Sequence, residues 1–258
     1  MRVALAQINS VLGDFTGNRD KILDYCNKAV ERRCDLVVFP EASLFGYHPV
    51  DLLERPAIVS NQEKELKNLA RKIPPGIVVI LGAITKNPKS KGKPYHNSAV
   101  LIQKGKALKI FPKQLLPTYD VFDEARHIEP GAVEKNLFSY MGKKILVTIC
   151  EDIWAWSDTS GKSNYDHNPL KKVKGKVDLV VNLSASPFTM TKAKNRQRVV
   201  TETAKNFRSP VVYVNMVGAQ DELIFDGGSF ATDKKGQVIA QSVHFTEDLN
   251  VVDLDSGK

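Results

Sequence analysis

Asp35-Leu36-Val37-Val38-Phe39-Pro40-Glu41-Ala42-Ser43 and Asp178-Leu179-Val180-Val181-Asn182-Leu183-Ser184-Ala185-Ser186 agree at six of nine positions. Each starts with an aspartate and an unbroken apolar run, the pattern of a strand buried on both faces. Around the first copy the chain reads as a strand over 3–8, a helix over 20–33, the repeated strand, a second helix, a strand over 77–83 and a hairpin over 98–111. Ile22, Tyr25, Ala29 and Val30 fall on one stripe of the first helix. The second helix is predicted to open at the capping-box pair Ser60 and Glu63, to turn Leu66, Leu69, Ala70 and Ile73 inward, and to stop at Pro74-Pro75. Around the second copy the order returns: strands over 145–149 and 179–183, a helix over 196–206, a strand over 211–215, and a hairpin over 229–241 turning at Lys234-Lys235-Gly236. Two related halves of this kind predict an α/β fold with two mixed sheets face to face and helices outside.

The 258 residues are 42% hydrophobic and 26% charged, enough to bury one large core, and no Ser/Gly/Pro-rich linker divides them. Residues 1–258 therefore read as a single domain. The first residues turn polar too soon for a signal peptide, and no apolar stretch nears the length of a membrane-spanning helix. Three cysteines without C-x-x-C spacing argue against a disulfide framework or a zinc site, so a reducing, cytoplasmic setting is expected. The formal charge of +8 raises a nucleic-acid partner, but the basic runs at 86–93, 104–113 and 171–176 lack interleaved aromatics. They read as solvated turns; no nucleic acid and no membrane are expected as partners.

Three reactive side chains fall at the ends of core strands: Glu41, Lys113 and Cys150. Taken singly, each has an ordinary reading as a surface carboxylate, a solvated cation and a small buried hydrophobe. Together they fill the roles that acyl transfer needs. A thiol attacks as thiolate and needs a base or a positive field to leave its usual pKa of about 8.5. Glu41 suits the proton, while Lys113 and the backbone N–H of Glu151 suit the oxyanion. The five histidines lie in turn-rich stretches without a recognisable cysteine-protease signature.

At these residues the sequence resembles the nitrilase superfamily of carbon-nitrogen hydrolases. The Glu signature is Val37 to Tyr47, the Lys signature Phe111-Pro112-Lys113-Gln114-Leu115-Leu116-Pro117, and the Cys signature Ile149-Cys150-Glu151-Asp152-Ile153-Trp154. This resemblance implies a duplicated, four-layer α-β-β-α sandwich. Within the superfamily, the segments 113–124, 150–154 and 182–188 are most similar to the glutaminase domains of glutamine-dependent NAD synthetases. That likeness implies a glutamine pocket shaped by Tyr47, Tyr119, Phe122, Glu124, Glu151, Ser186 and Lys192. It also implies a synthetase domain in the same full-length chain as partner, association into homo-oligomers, and no cofactor or metal in this domain. ATP and Mg are expected only in the synthetase domain, since no S-G-G-x-D-S type phosphate loop occurs in 1–258. Thr189 departs from the pattern, standing where such domains often have His. A stand-alone amidase acting on an ω-amide or another small amide is the alternative enzyme, and a silent binding module is the alternative outside enzymes.

Overall fold

The computed structural model describes residues 1–157, 162–163 and 165–255. In chain order its elements are β1 (Arg2–Gln7), α1 (Phe15–Glu31), β2 (Leu36–Val38), α2 (Pro56–Lys72), β3 (Val78–Lys86), β4 (Tyr95–Gln103), β5 (Lys109–Pro112), β6 (Leu137–Tyr140), β7 (Lys143–Ile149), β8 (Leu179–Ser184), α3 (Lys192–Phe207), β9 (Val211–Asn215), β10 (Val217–Gln220), β11 (Leu223–Asp226), β12 (Phe230–Thr232), β13 (Val238–Gln241) and β14 (Asp248–Asp253). Two six-stranded sheets run β14-β1-β2-β3-β4-β5 and β6-β7-β8-β9-β12-β13. Pairing is antiparallel, parallel, parallel, antiparallel, antiparallel across each sheet in that order. The duplication read from the sequence is therefore a duplication of topology, and the repeated phrase supplies the matching strands β2 and β8.

Strand alternation builds the layers. In β1, Val3 and Leu5 enter the core between the sheets while Ala4 and Ala6 face the helices. In β7, Ile145, Val147 and Ile149 face the other sheet, and Leu146 faces outward toward α3. The period of two along a strand sorts residues to opposite faces, so runs apolar on both faces yield two cores each. Ile22, Cys26 and Ala29 of α1 and Leu66 and Leu69 of α2 cover one sheet; Val199, Val200 and Ala204 of α3 cover the other. The result is the four-layer sandwich of the nitrilase type.

Helix starts differ from the sequence reading. The first helix begins at Phe15, not residue 20, because the Asp14 side chain caps it by accepting the Gly17 N–H at 2.9 Å. Its buried stripe takes Cys26 in place of Val30, which is exposed near the helix end. The second helix begins at Pro56, where a fixed φ and a missing N–H suit the first turn, so Ser60 is an exposed interior residue and no cap. The third begins at Lys192, one turn before residue 196. Among the described residues, no helix is long and apolar enough to cross a membrane.

Candidate active site

Glu41 follows β2 by way of Phe39-Pro40, Lys113 directly follows β5, and Cys150 directly follows β7. All three side chains are buried, Lys113 completely. The Lys113 ammonium donates to Glu41 Oε1 at 2.7 Å and to both oxygens of Glu124 at 2.9 and 3.0 Å. Glu41 is held on every side: Asn97 Nδ2 also reaches Oε1 at 2.8 Å, and the Ala185 N–H reaches Oε2 at 3.0 Å. The Tyr47 hydroxyl donates to Glu124 Oε1 at 2.9 Å. A buried ion is tolerable only when its hydrogen-bonding capacity is filled, and this cluster fills it.

Cys150 has a φ of 42°, in the left-handed region that residues with a Cβ seldom adopt. Asp152 holds this turn. Its Oδ2 accepts the Ile149 N–H at 2.9 Å, and its Oδ1 accepts the N–H groups of Gln114 and Leu115 at 3.0 and 2.9 Å. One carboxylate thus ties the cysteine turn to the segment that follows Lys113. Burial pushes the Asp152 carboxyl up to about 6, against the pull of those three donors.

Burial also raises the Cys150 thiol well above its ordinary pKa, and the charge of Glu41 adds to this, while Lys113 pulls the other way. The sequence reading asked for a base or a positive field; both are present, and the net result is a neutral resting thiol. Burial opposes the charge on Lys113, but Glu124 and Glu41 outweigh it and keep the ammonium well above the usual lysine value. For Glu124, burial wins over Lys113 and raises its carboxyl. A neutral thiol, an oriented carboxylate and a fixed ammonium suit attack with simultaneous proton removal, with no need for a standing thiolate.

Residues 2–258 match the family model for carbon-nitrogen hydrolases. The chain belongs to the carbon-nitrogen hydrolase family. It is 44% identical to a glutamine-dependent NAD(+) synthetase from Synechocystis sp. over 99% of the chain and 47% of that relative. With the Thermotoga maritima enzyme of the same name it shares 38% identity over 99% of the chain and 42% of the relative. The chain spans about half the length of the curated relatives it matches. The structure of glutamine-dependent NAD+ synthetase from Acinetobacter baumannii, in complex with ADP, superposes with a TM-score of 0.86 at 35% identity, over 99% of this chain and 46% of that one. An amidase from Nesterenkonia sp. AN1 superposes with a TM-score of 0.79 at 23% identity, over 98% and 93% of the two chains, which bears on the fold alone.

In this hydrolase the predicted pocket residues divide into two groups. Tyr47 and Glu124 join the Lys113 cluster directly. Phe122 packs its ring 6.3 Å from that of Tyr47 and 5.9 Å from that of Tyr119. Tyr119 donates to Glu151 Oε1 at 2.9 Å. Lys192 lies with its ammonium 4.2 Å from the centroid of the Trp154 ring. Ser186 is buried, with its N–H on Asn215 Oδ1 at 2.9 Å and its hydroxyl accepting from Arg196 Nε at 3.2 Å. The sequence reading missed Asn97, Asp152 as a brace, Tyr165, the Ala185 N–H and Arg196. Tyr165 donates to Glu151 Oε2 at 2.7 Å, so two phenols hold that buried carboxylate. Among the described residues, no group of three or more His, Cys, Asp or Glu is placed to hold a metal ion.

Gly82 of β3 explains how Glu41 gets so deep. A Cβ there would lie 2.0 Å from the Ala42 nitrogen and 2.6 Å from the Glu41 carbonyl carbon, so the turn carrying Glu41 crosses a strand that has no side chain at that point. Gly82→Ala is therefore expected to lose about 1–3 kcal/mol of stability and to lower turnover by displacing Glu41. A denaturant titration and a rate normalised to folded protein check this; a variant as stable and as active as the parent would show that the crossing has slack.

Proposed function

We propose that this chain hydrolyses the side-chain amide of glutamine through a thioester on Cys150 and releases ammonia. The observation that carries the reading is the buried Glu41–Lys113–Glu124 cluster, electrostatically coupled to Cys150. Glu41 takes the thiol proton as the sulfur attacks the amide carbon, and the oxyanion forms against Lys113 Nζ and the Glu151 N–H. Collapse breaks the C–N bond, with the proton held by Glu41 passing to the departing amine. Water, deprotonated by the same carboxylate, then attacks the thioester carbon; the C–S bond breaks, the acid is released, and the proton on Glu41 returns to the Cys150 sulfur. Glu124 and Tyr47 keep the Lys113 ammonium aimed at the oxyanion.

Glutamine is favoured because the walls carry opposite charges for its two α-substituents. The Glu151 carboxylate, next to the nucleophile and held by Tyr119 and Tyr165, suits the α-ammonium. Lys192 on the Trp154 face suits the α-carboxylate. The relatives named glutamine-dependent NAD(+) synthetase support a further step, in which a synthetase domain uses the ammonia to convert nicotinic acid adenine dinucleotide to NAD.

Ammonia release from glutamine, asparagine and glutaramic acid tests the reading. Glutamine should be preferred over both by at least about tenfold in kcat/KM, since one acid lacks reach and the other the α-ammonium. Equal rates on all three would favour a broad small-amide hydrolase. Glu41→Gln is expected to keep binding and lose about 10²–10⁴ in rate, because the amide keeps the shape but accepts no proton. EDTA is expected to leave turnover unchanged; loss of activity restored by one metal would overturn the metal-free mechanism.

A further inference from the structure

Among the described residues, Arg196 is the one buried lysine or arginine besides Lys113, 2% exposed, and it lies outside the cluster around Cys150. It sits one turn into α3, and its guanidinium reaches back to the loop that follows β8. Nε donates to Ser186 Oγ at 3.2 Å, and Nη2 donates to the Ser186 carbonyl at 2.7 Å and the Pro187 carbonyl at 2.9 Å. Nη1 donates to Asp226 Oδ1 at 2.6 Å, and the other oxygen of Asp226 faces His244 Nδ1 at 3.2 Å. Asn215 clasps the same loop, taking the Ser186 N–H and donating to the Ser186 carbonyl at 3.2 Å. The residue just before Ser186 is Ala185, whose N–H donates to Glu41 Oε2 at 3.0 Å.

We infer that Arg196 is a positioning residue for hydrolysis: it fixes the 185–187 loop so that the Ala185 N–H orients Glu41 and the Ser186 wall stands at a set distance from Lys192 in the same helix. The inference rests on Glu41 being the base. A guanidinium suits the task because its planar fork serves a hydroxyl, two carbonyls and a carboxylate at once, where an ammonium offers a single point charge. The Ser186 carbonyl takes donors from both Arg196 and Asn215, and the Pro187 carbonyl takes one from Arg196, so the guanidinium and Asn215 hold the loop together. Arg196 touches none of the reacting groups and acts through one peptide unit.

Arg196→Lys and Arg196→Ala, with rates normalised to titratable Cys150 thiol, provide the test on glutamine or whichever small amide the parent turns over. Arg196→Ala should lose about 100-fold in kcat/KM, the scale set by a misplacement near one ångström, in both kcat and KM. Arg196→Lys should recover thermal stability while remaining at least about tenfold below the parent in kcat. A cavity of about 130 Å³, lined by Arg196, Gly228 and His244, opens beside the guanidinium. Millimolar guanidinium chloride should therefore restore part of the Arg196→Ala rate, and equal sodium chloride should not. Parent-like kcat and KM per titrated thiol in either variant would overturn the inference and leave Arg196 as structural only. Near-parent turnover by Glu41→Gln would instead show that the assignment of the base had failed.

Discussion

Cys150→Ala is expected to fold as the parent does and to show no measurable amide hydrolysis, a loss on the order of 10⁶-fold. The substitution removes one sulfur from a position at the edge of the core between the sheets. The turn that carries it is held through other atoms, those of Asp152 and its three backbone donors. Circular dichroism and thermal melting should thus change little. Cys150→Ser should be nearly as inactive, since burial and the adjacent carboxylates that already hold the thiol neutral weigh harder on a hydroxyl of higher intrinsic pKa. Ammonia release above about one per cent of the parent rate in either variant would place the nucleophile elsewhere.

Lys113→Ala should show the largest combined effect on stability and rate. It leaves Glu41 and Glu124 buried together without their common cation, and breaking a buried pair in this way costs about 3–5 kcal/mol. Removal of an oxyanion donor should also lower kcat by about 10²–10³-fold. The pH dependence has a definite sign. Burial already raises the Glu124 carboxyl in the parent, and loss of Lys113 removes the group that opposes this shift. A carboxyl raised in the folded state stabilises the fold when protonated, and that contribution is lost as pH rises through the folded value. The variant should therefore gain stability relative to the parent on acidification from neutrality to about pH 5. Parallel stability curves for the two proteins over this range would contradict the buried-cluster account.

The large features of the fold were legible because they rest on local patterns. Apolar runs such as Ile145-Leu146-Val147-Thr148-Ile149 and the duplicated phrase at 35–43 and 178–186 marked buried strands and their symmetry. Helix starts were misread where a cap competed with a capping-box look-alike: Ser60 and Glu63 have the right spacing, but Pro56 upstream sets the start. Strand β14 was not legible because its partner β1 lies at the far end of the sequence, whereas β6, β10 and β11 are four-residue strands paired with a neighbour across a two-residue turn, too short to show a period.

Glu41, Lys113 and Cys150 could be picked out because each reactive type followed a strand end. The supporting groups were hidden for a different reason. Asn97 lies inside a strand, Arg196 inside a helix, and Ala185 contributes only a backbone N–H, so nothing in their local sequence distinguishes them from structural residues. Their roles come from contacts across the fold, such as Asn97 with Glu41 and Arg196 with Ser186. Asp152 was the one supporting group with a visible trace, as an acidic side chain inside the buried Ile149 to Trp154 segment.

The central claim, a thioester on Cys150 formed by attack on the glutamine amide, is tested most directly by intact-mass analysis and peptide mapping after treatment with a glutamine analogue that carries an electrophile in place of the amide. The expected result is a single adduct on Cys150, blocked by excess glutamine and absent from Cys150→Ala. Labelling of Cys26 or Cys34, or an adduct that glutamine does not compete away, would contradict the account.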